Sequence, residues 1–412
     1  MTNNNNSQPH FPLPYYEFFA GGGMARLGLG EKWECVIAND FSEKKAAAYR
    51  ANFSNSNELV VEDVRKLTTR DLPDQAYLAW ASFPCQDLSL AGIGQGLRGE
   101  RSGGSYWGFW QLMHGLTIED RCPSIIVLEN VVGTITANQG KDFQVLLESL
   151  IELGYAVGPL VINAMHFVPQ SRPRLFLIAV KRDLELPTSL YRPEPDNIWH
   201  ISALQKAYQN LPAHQKSAWI WWNLPKPEPL TSSLMGLIEE NPESVSWHSI
   251  EETNRLLDLM TPAHLNKVRQ VQASGKRTVG TIYRRVRKDK NGQKAQRAEI
   301  RFDQISGCLR TGSGGSSRQF IMLVEGDKIR SRLLSTREAA RLMGLPDSYK
   351  LPEKYNDAYH LLGDGLVVPV ISWLEKHLLY PLALITQDGY SNIEIDNFIP
   401  QIQPVQPFLE FA

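Results

Sequence analysis

Four clusters of residues in this chain could do chemistry together. Cys85 stands in Phe83-Pro84-Cys85-Gln86, directly after an apolar run that reads as a strand. A thiolate nucleophile divides one hard step into easier ones by forming a covalent intermediate. Taken alone, a free cysteine is more often core packing. Here Pro84 stiffens the approach, and residues 90–104 behind it are dense in glycine, as in loops that close over sites. Glu129-Asn130 follows the uninterrupted apolar run Ser124-Ile125-Ile126-Val127-Leu128. A carboxylate at the mouth of a buried strand is costly unless it is paired or used. A helix cap or ion pair is the plain alternative. Gln170-Ser171-Arg172-Pro173-Arg174 sets two arginines at alternate positions entering a strand, so both point to one side. That suits a phosphate or a carbonyl oxygen, although either alone reads as a surface salt bridge.

The fourth cluster is Phe19-Ala20-Gly21-Gly22-Gly23, between a strand and a helix. Glycines there permit positive φ and close approach of backbone to a ligand. Arg26 stands where the dinucleotide fingerprint has its third glycine, so a pyrophosphate is not favoured. A cofactor with a ribose and no phosphate fits better, and S-adenosylmethionine is one. Asp40 ends the next strand, about the right distance for a ribose carboxylate, and Asp63 could accept from an adenine amino group. A tight turn without a ligand is the alternative.

These clusters need elements to hold them. Tyr15-Tyr16-Glu17-Phe18-Phe19, Cys35-Val36-Ile37-Ala38, Leu59-Val60-Val61 and Tyr77-Leu78-Ala79-Trp80 read as strands, followed by residues 124–128, 155–164 and 175–180. Helices are expected from Met24, over 43–52 and over 143–153. Strands alternating with helices predict an open α/β sheet, with ligands at the carboxyl ends of the strands. After about residue 185 the alternation stops, prolines cluster, and Trp219, Trp221 and Trp222 appear. A smaller irregular domain is expected over 186–349. Residues 1–185 and 350–412 would form the catalytic and cofactor-binding domain, with a helix over 370–384.

The bulk numbers agree. The 412 residues are long for one core. Apolar residues make up 42% and charged residues 21%, as in a soluble globular protein. Four scattered cysteines without a Cys-x-x-Cys pair argue against a zinc site or disulfides, and fit a reducing compartment. No long apolar run predicts a membrane span, and residues 3–7 lack a signal-peptide pattern. The net charge of -1 is no mark of a nucleic-acid binder, but residues 267–301 hold twelve Lys or Arg against Asp289 and Glu299. Such a stretch is either a solvated face or a track for a phosphate backbone.

Together these residues resemble the DNA (cytosine-5) methyltransferase family of bacterial restriction-modification systems. Phe18-Phe19-Ala20-Gly21-Gly22-Gly23 is similar to its cofactor loop, Phe83-Pro84-Cys85-Gln86 to its nucleophile motif, and Glu129-Asn130-Val131 and Gln170-Ser171-Arg172-Pro173-Arg174 to the next two. Arg337-Glu338-Ala339-Ala340-Arg341-Leu342-Met343-Gly344-Leu345-Pro346-Asp347 resembles the motif supporting the recognition domain. Gly363-Asp364-Gly365-Leu366-Val367-Val368-Pro369 resembles the last motif, which completes the cofactor pocket. The chain departs from the pattern at Asp87-Leu88-Ser89, at small residues in 101–107, and at Asp364, where the family usually has Asn.

The resemblance implies a Rossmann-like S-adenosylmethionine-dependent methyltransferase sheet and methylation of carbon 5 of cytosine in a specific double-stranded sequence. Cys85 would add to carbon 6 of a flipped base, and Glu129 would protonate ring nitrogen 3. Arg174 would hold the carbonyl oxygen, Arg172 a loop or phosphate, and Asn130 the Pro84-Cys85 backbone. Phe19, Ala20, Gly21, Gly23, Asp40, Phe41, Asp63, Val64, Asp364 and Leu366 would hold the cofactor, with no metal. Gln86, Ser89, Arg284, Arg285, Arg287 and Arg310 would meet DNA, with the turn Thr311-Gly312-Ser313-Gly314-Gly315 facing the groove. A cytoplasmic, nucleoid-associated monomer working beside a cognate restriction endonuclease is expected. A tRNA-methylating relative is disfavoured by the large second segment. A silent DNA-binding adaptor is disfavoured by the intact Pro84-Cys85 pair and Glu129-Asn130-Val131, and an NAD-dependent oxidoreductase by the missing glycine.

Overall fold

The computed structural model describes residues 12–73, 75–84, 104–288, 292–310 and 318–386. Cys85, Gln86, Ser89, the glycine-dense stretch behind them and the turn at 311–315 lie outside the described residues.

Seven strands form the main sheet: β1 (Leu13–Phe18), β2 (Trp33–Asp40), β3 (Leu59–Val61), β4 (Leu78–Ala81), β5 (Ile125–Val131), β6 (Tyr155–Asn163) and β7 (Pro173–Lys181). Their order is β3-β2-β1-β4-β5-β7-β6. The first five are parallel, while β7 runs antiparallel between β5 and β6. The cause is connection length. Crossovers long enough to hold a helix join the parallel strands, whereas the short link from β6 to β7 allows only an antiparallel return. β4 is buried throughout and β5 up to Asn130, as expected of strands covered on both faces.

Helices α1 (Met24–Leu29) and α2 (Glu43–Asn52) cover one face together with the C-terminal helices, and α3 (Ser105–Ile118) and α4 (Lys141–Glu152) cover the other. Gly28 lets α1 meet helix Val368–Leu374, since a Cβ there would fall 2.3 Å from Cβ of Ile371. The single helix expected over 370–384 is instead Val368–Leu374, a π turn at Glu375–Leu379 and Tyr380–Ile385. Pro381 has no N–H for the ladder, and the wider turn takes up the missing bond.

The tryptophan-rich segment does not leave the main sheet. Strands β8 (Tyr191–Arg192) and β9 (Trp221–Trp222) form a short pair, and the chain around them runs along β6. Val157 N–H donates to Ala218 O, and Val161 N–H to Trp199 O. Trp222 Nε1 donates to Gly158 O at 3.0 Å. β6 is an edge strand whose backbone groups need partners, and this segment supplies them. Beyond it, the region expected to be irregular holds a regular antiparallel sheet. Strands β10 (Thr278–Lys288), β11 (Lys294–Arg301), β12 (Phe320–Glu325) and β13 (Lys328–Leu333) pair in the order β11-β10-β12-β13.

Arg332 on β13 and Glu338 on helix Thr336–Leu342 lock this sheet to the helix that follows it. Their two bonds measure 2.7 and 2.6 Å, and the side chains are 0% and 1% exposed. Stripping one partner from a buried pair strands a charge, at about 3–5 kcal/mol. Arg332→Met is expected to lose about that much in urea unfolding, and adding Glu338→Leu to recover part of it. Undiminished stability of Arg332→Met would sink this account.

Candidate active site

A cavity of about 400 Å³ opens at the carboxyl ends of β1, β2, β4 and β5, large enough for a nucleoside-sized ligand. Phe19, Ala20, Gly21, Asp40, Phe41, Pro84, Glu129, Asn130, Arg172, Arg174, Asp364 and Leu366 all line it, so most of the expected site residues are brought together. At one end β1 gives way to the glycine turn. Phe19 and Gly21 have φ of 60° and 58°, and a Cβ on Gly21 would meet nothing within 4 Å. That open side is a cradle for a ligand. Asp40 carboxylate is buried and accepts N–H from Gly21 at 2.9 Å and from Ser42 at 2.8 Å. Phe41 beside it is 70% exposed, an aromatic face turned outward where a planar base can stack. These residues fit the nucleoside of S-adenosylmethionine.

Three expected cofactor residues stand elsewhere. Gly23 faces Phe53 and Tyr49, where a Cβ would clash at 2.2 Å, so it serves helix packing. Asp63 does not line the cavity. Its carboxylate caps residues Val64–Lys66 and is forked by Arg65, which holds it down at about 2. Val64 is buried in the core.

At the other end β5 delivers Glu129, and the antiparallel β7 delivers Arg174 beside it, with Nε 3.1 Å from Glu129 Oε1. Burial pushes the Glu129 carboxyl up, although Arg174 and Arg172 pull against it. Asn130 Nδ2 donates to Phe83 O at 3.1 Å and so holds the backbone entering Pro84. Arg172 does not reach for a phosphate. It is 2% exposed and donates to Leu309 O, Gly363 O and Gly365 O at 2.9, 2.8 and 2.7 Å. Burial, and Arg174 nearby, lower its guanidinium to about 10.

Four further residues join the site. Glu17 and Lys45 line the cavity, as does Phe83, which packs on Tyr106. Cys308 lies 3.5 Å from Arg172 Nη1 and 3.9 Å from the Arg174 fork. A charged residue inside an apolar strand was the available signal for Glu17. Cys308 gave none, because only the fold brings it near β7.

On β10, Arg285 and Arg287 share one face and pair with Glu299 at 3.5 and 2.7 Å. Arg284 does not share that face. Its guanidinium lies 4.8 Å over the Phe320 ring, within the small sheet's apolar cluster. Strand alternation makes the two faces different, a distinction invisible to a count of basic residues. Arg310 is exposed at the edge of the described residues.

Among the described residues no group of His, Cys, Asp and Glu could hold a metal, and no helix is long and apolar enough to cross a membrane. The strand order and the antiparallel β7 set a cavity of nucleoside size at the carboxyl ends of the parallel strands, where open α/β sheets bind their ligands. The chain belongs to the C-5 cytosine-specific DNA methylase family, whose model matches residues 13–379. This makes it an enzyme of the DNA (cytosine-5-)-methyltransferase class. It is 26% identical to the type II methyltransferase M.Bsp6I of Bacillus sp. (strain RFL6), over 89% of this chain and 98% of that one. It is 25% identical to M.HhaI of Haemophilus parahaemolyticus, over 89% and 94%. In fold it is similar to Spodoptera frugiperda DNMT2 (TM-score 0.56, 17% identity, 90% and 99% covered). A methyltransferase of Entamoeba histolytica, EhMeth, gives a TM-score of 0.57 at 13% identity, with 88% and 97% covered.

Burial raises Glu17 to about 8, although the Tyr15 hydroxyl and Arg26 oppose the rise. An unfolded glutamate titrates near 4.3, at roughly the usual value. Between these values the folded chain keeps a proton that the unfolded chain gives up. The stability is therefore whole below about pH 4 and falls as the pH rises toward 8. From pH 5 to 8 this one group is expected to withdraw stability, by on the order of 4 kcal/mol at most. Glu17→Gln should flatten that slope. Urea midpoints at both pH values check this, and parallel slopes would refute it.

Proposed function

We propose that this enzyme transfers a methyl group to carbon 5 of a cytosine flipped out of a specific double-stranded DNA sequence. The observation that carries the reading is the Glu129–Arg174 pair, which with Pro84 lines one part of a pocket whose other end suits a nucleoside. Carbon 5 of cytosine is a poor nucleophile. The thiolate of Cys85 adds to carbon 6, and the electron pair moves toward ring nitrogen 3. Glu129 delivers a proton there, and its burial favours the protonated form that this requires. Arg174 holds the base carbonyl oxygen, and Asn130 fixes the backbone that presents Cys85. S-adenosylmethionine, when bound, supplies an electrophilic methyl group. Loss of the carbon-5 proton to water then expels the Cys85 thiolate, and ring nitrogen 3 returns its proton to Glu129, which restores the aromatic ring.

A stacked base cannot meet this geometry, so flipping costs a few kcal/mol, in the usual range for base flipping. Gln86 and Ser89 beside Cys85 meet the DNA. Arg285, Arg287 and Arg310 grip the backbone or a guanine edge, within a recognition part formed chiefly by β10–β13. We further propose a monomer that acts on chromosomal DNA in the cytoplasm and protects it from a cognate restriction endonuclease.

Tritiated S-adenosylmethionine is expected to label duplex DNA with the wild type. Cys85→Ala should reduce labelling to background, and Glu129→Gln should reduce it about 10²- to 10⁴-fold, the range for general-acid groups. A duplex containing 5-fluorocytosine should trap the wild type and not Cys85→Ala. Equal labelling by wild type and Cys85→Ala, or labelling of tRNA in place of DNA, would overturn the reading.

A further inference from the structure

Lys45 and Asp364 meet across the rim of the cofactor cavity. Lys45 lies in α2, one turn beyond Phe41, and Asp364 ends helix Tyr355–Asp364, yet Nζ and Oδ2 are 2.9 Å apart. Both residues line the cavity, with side chains 26% and 46% exposed. A pair so exposed contributes little to folding, so stability does not explain it. Lys44–Asp357, at 2.8 Å, and the Asn52–Lys350 backbone contacts already tie α2 to the same segment.

The other charges of the cavity have employment. Asp40 accepts two backbone N–H groups, Arg172 is spent on carbonyls, and Glu129 pairs with Arg174. Glu17 is 1% exposed and holds a Tyr15 hydroxyl bond. Among the described residues that line the cavity, one Lys and one Asp remain, side by side at the rim. A nucleoside on Asp40 and Phe41, with its sulfur turned toward Pro84, leaves one cofactor substituent to place. That substituent ends in an α-ammonium and an α-carboxylate, the same two charges in opposite sense. The family's usual Asn at the position of Asp364 would need no counter-ion, whereas Asp364 does, and Lys45 supplies it.

We propose that Lys45 and Asp364 are a charge-matched clasp for the amino-acid end of the cofactor. The pair opens as the ligand enters. Asp364 then receives the ammonium, and Lys45 the carboxylate. The proposal rests on the methyltransferase reading and adds specificity residues to it.

Calorimetry on the full chain tests it with two ligands that share nucleoside and sulfur. S-adenosylhomocysteine has the amino-acid end; 5′-methylthioadenosine lacks it, and its affinity is read by competition. Lys45→Met and Asp364→Ala are each expected to weaken S-adenosylhomocysteine about tenfold, as for loss of a charge-assisted bond. Binding of 5′-methylthioadenosine should stay within about twofold, because no charged bond to it is lost. Equal weakening of both ligands would assign the pair a purely structural role and overturn the clasp. Unchanged affinity for S-adenosylhomocysteine would overturn it as well. Failure of the wild type to bind either ligand would instead overturn the methyltransferase reading beneath it.

Discussion

A guanidinium can be buried only if its N–H groups find acceptors, and that requirement at Arg172 organises the site. Arg172 sits at the start of β7, 2% exposed, and its donors reach Leu309 O, Gly363 O and Gly365 O. These carbonyls come from the segment after β11 and from the end of helix Tyr355–Asp364. One cation therefore clamps three stretches that lie far apart in sequence. Leaving such a charge without its carbonyls would cost more than most single contacts contribute. The rim of the cavity, β7 and the segment leading to β12 are held in register as a consequence. Gly365 also packs closely on α1, since a Cβ there would meet Met24 Sδ at 2.3 Å.

The same burial sets the electrostatics of the neighbouring groups. Glu129 is largely buried, and that burial pushes its carboxyl up although two arginines pull against it. Arg174 keeps one edge on Glu129 and the other near Cys308. Burial pushes the Cys308 thiol up, but Arg172 and Arg174 outweigh it and draw the thiol below its ordinary value. Acid and clamp are thus poised by one shared desolvation, not by separate devices. The antiparallel β7 is the means, because it lays Arg174 opposite Val131 and beside Glu129 in the ladder.

Packing explains why the tryptophan-rich segment follows the sheet and does not begin a separate body. β6 is an outer strand, and an uncovered edge is a template for unwanted pairing. Trp199 and Trp222 cover it and enter the main core, with Trp222 Nε1 satisfied by Gly158 O. Proline and tryptophan content signals a change of style in the chain. It does not say where that stretch packs. The small sheet was hidden for a related reason. Its basic hairpin shows a density of charge, while the alternation that separates Arg284 from Arg285 and Arg287 appears only once the strands are paired.

The sequence by itself determined the parallel strands, the glycine turn and the order of the motifs, and it named the groups proposed to carry the chemistry. Those signals are local: apolar runs, turns and short spacings are written in neighbouring residues. Cys85, which lies outside the described residues, is proposed as the nucleophile from the sequence alone. Only the tertiary structure decided that Arg172 is a clamp and not a phosphate ligand, and that Asp63, Val64 and Gly23 stand off the cavity wall. It alone brought Lys45 to Asp364 and Cys308 to Arg174. Each of those relations joins residues more than a hundred positions apart, or depends on which side of an element a residue falls. Burial and long-range pairing are set by the whole packed chain, and no local pattern encodes them.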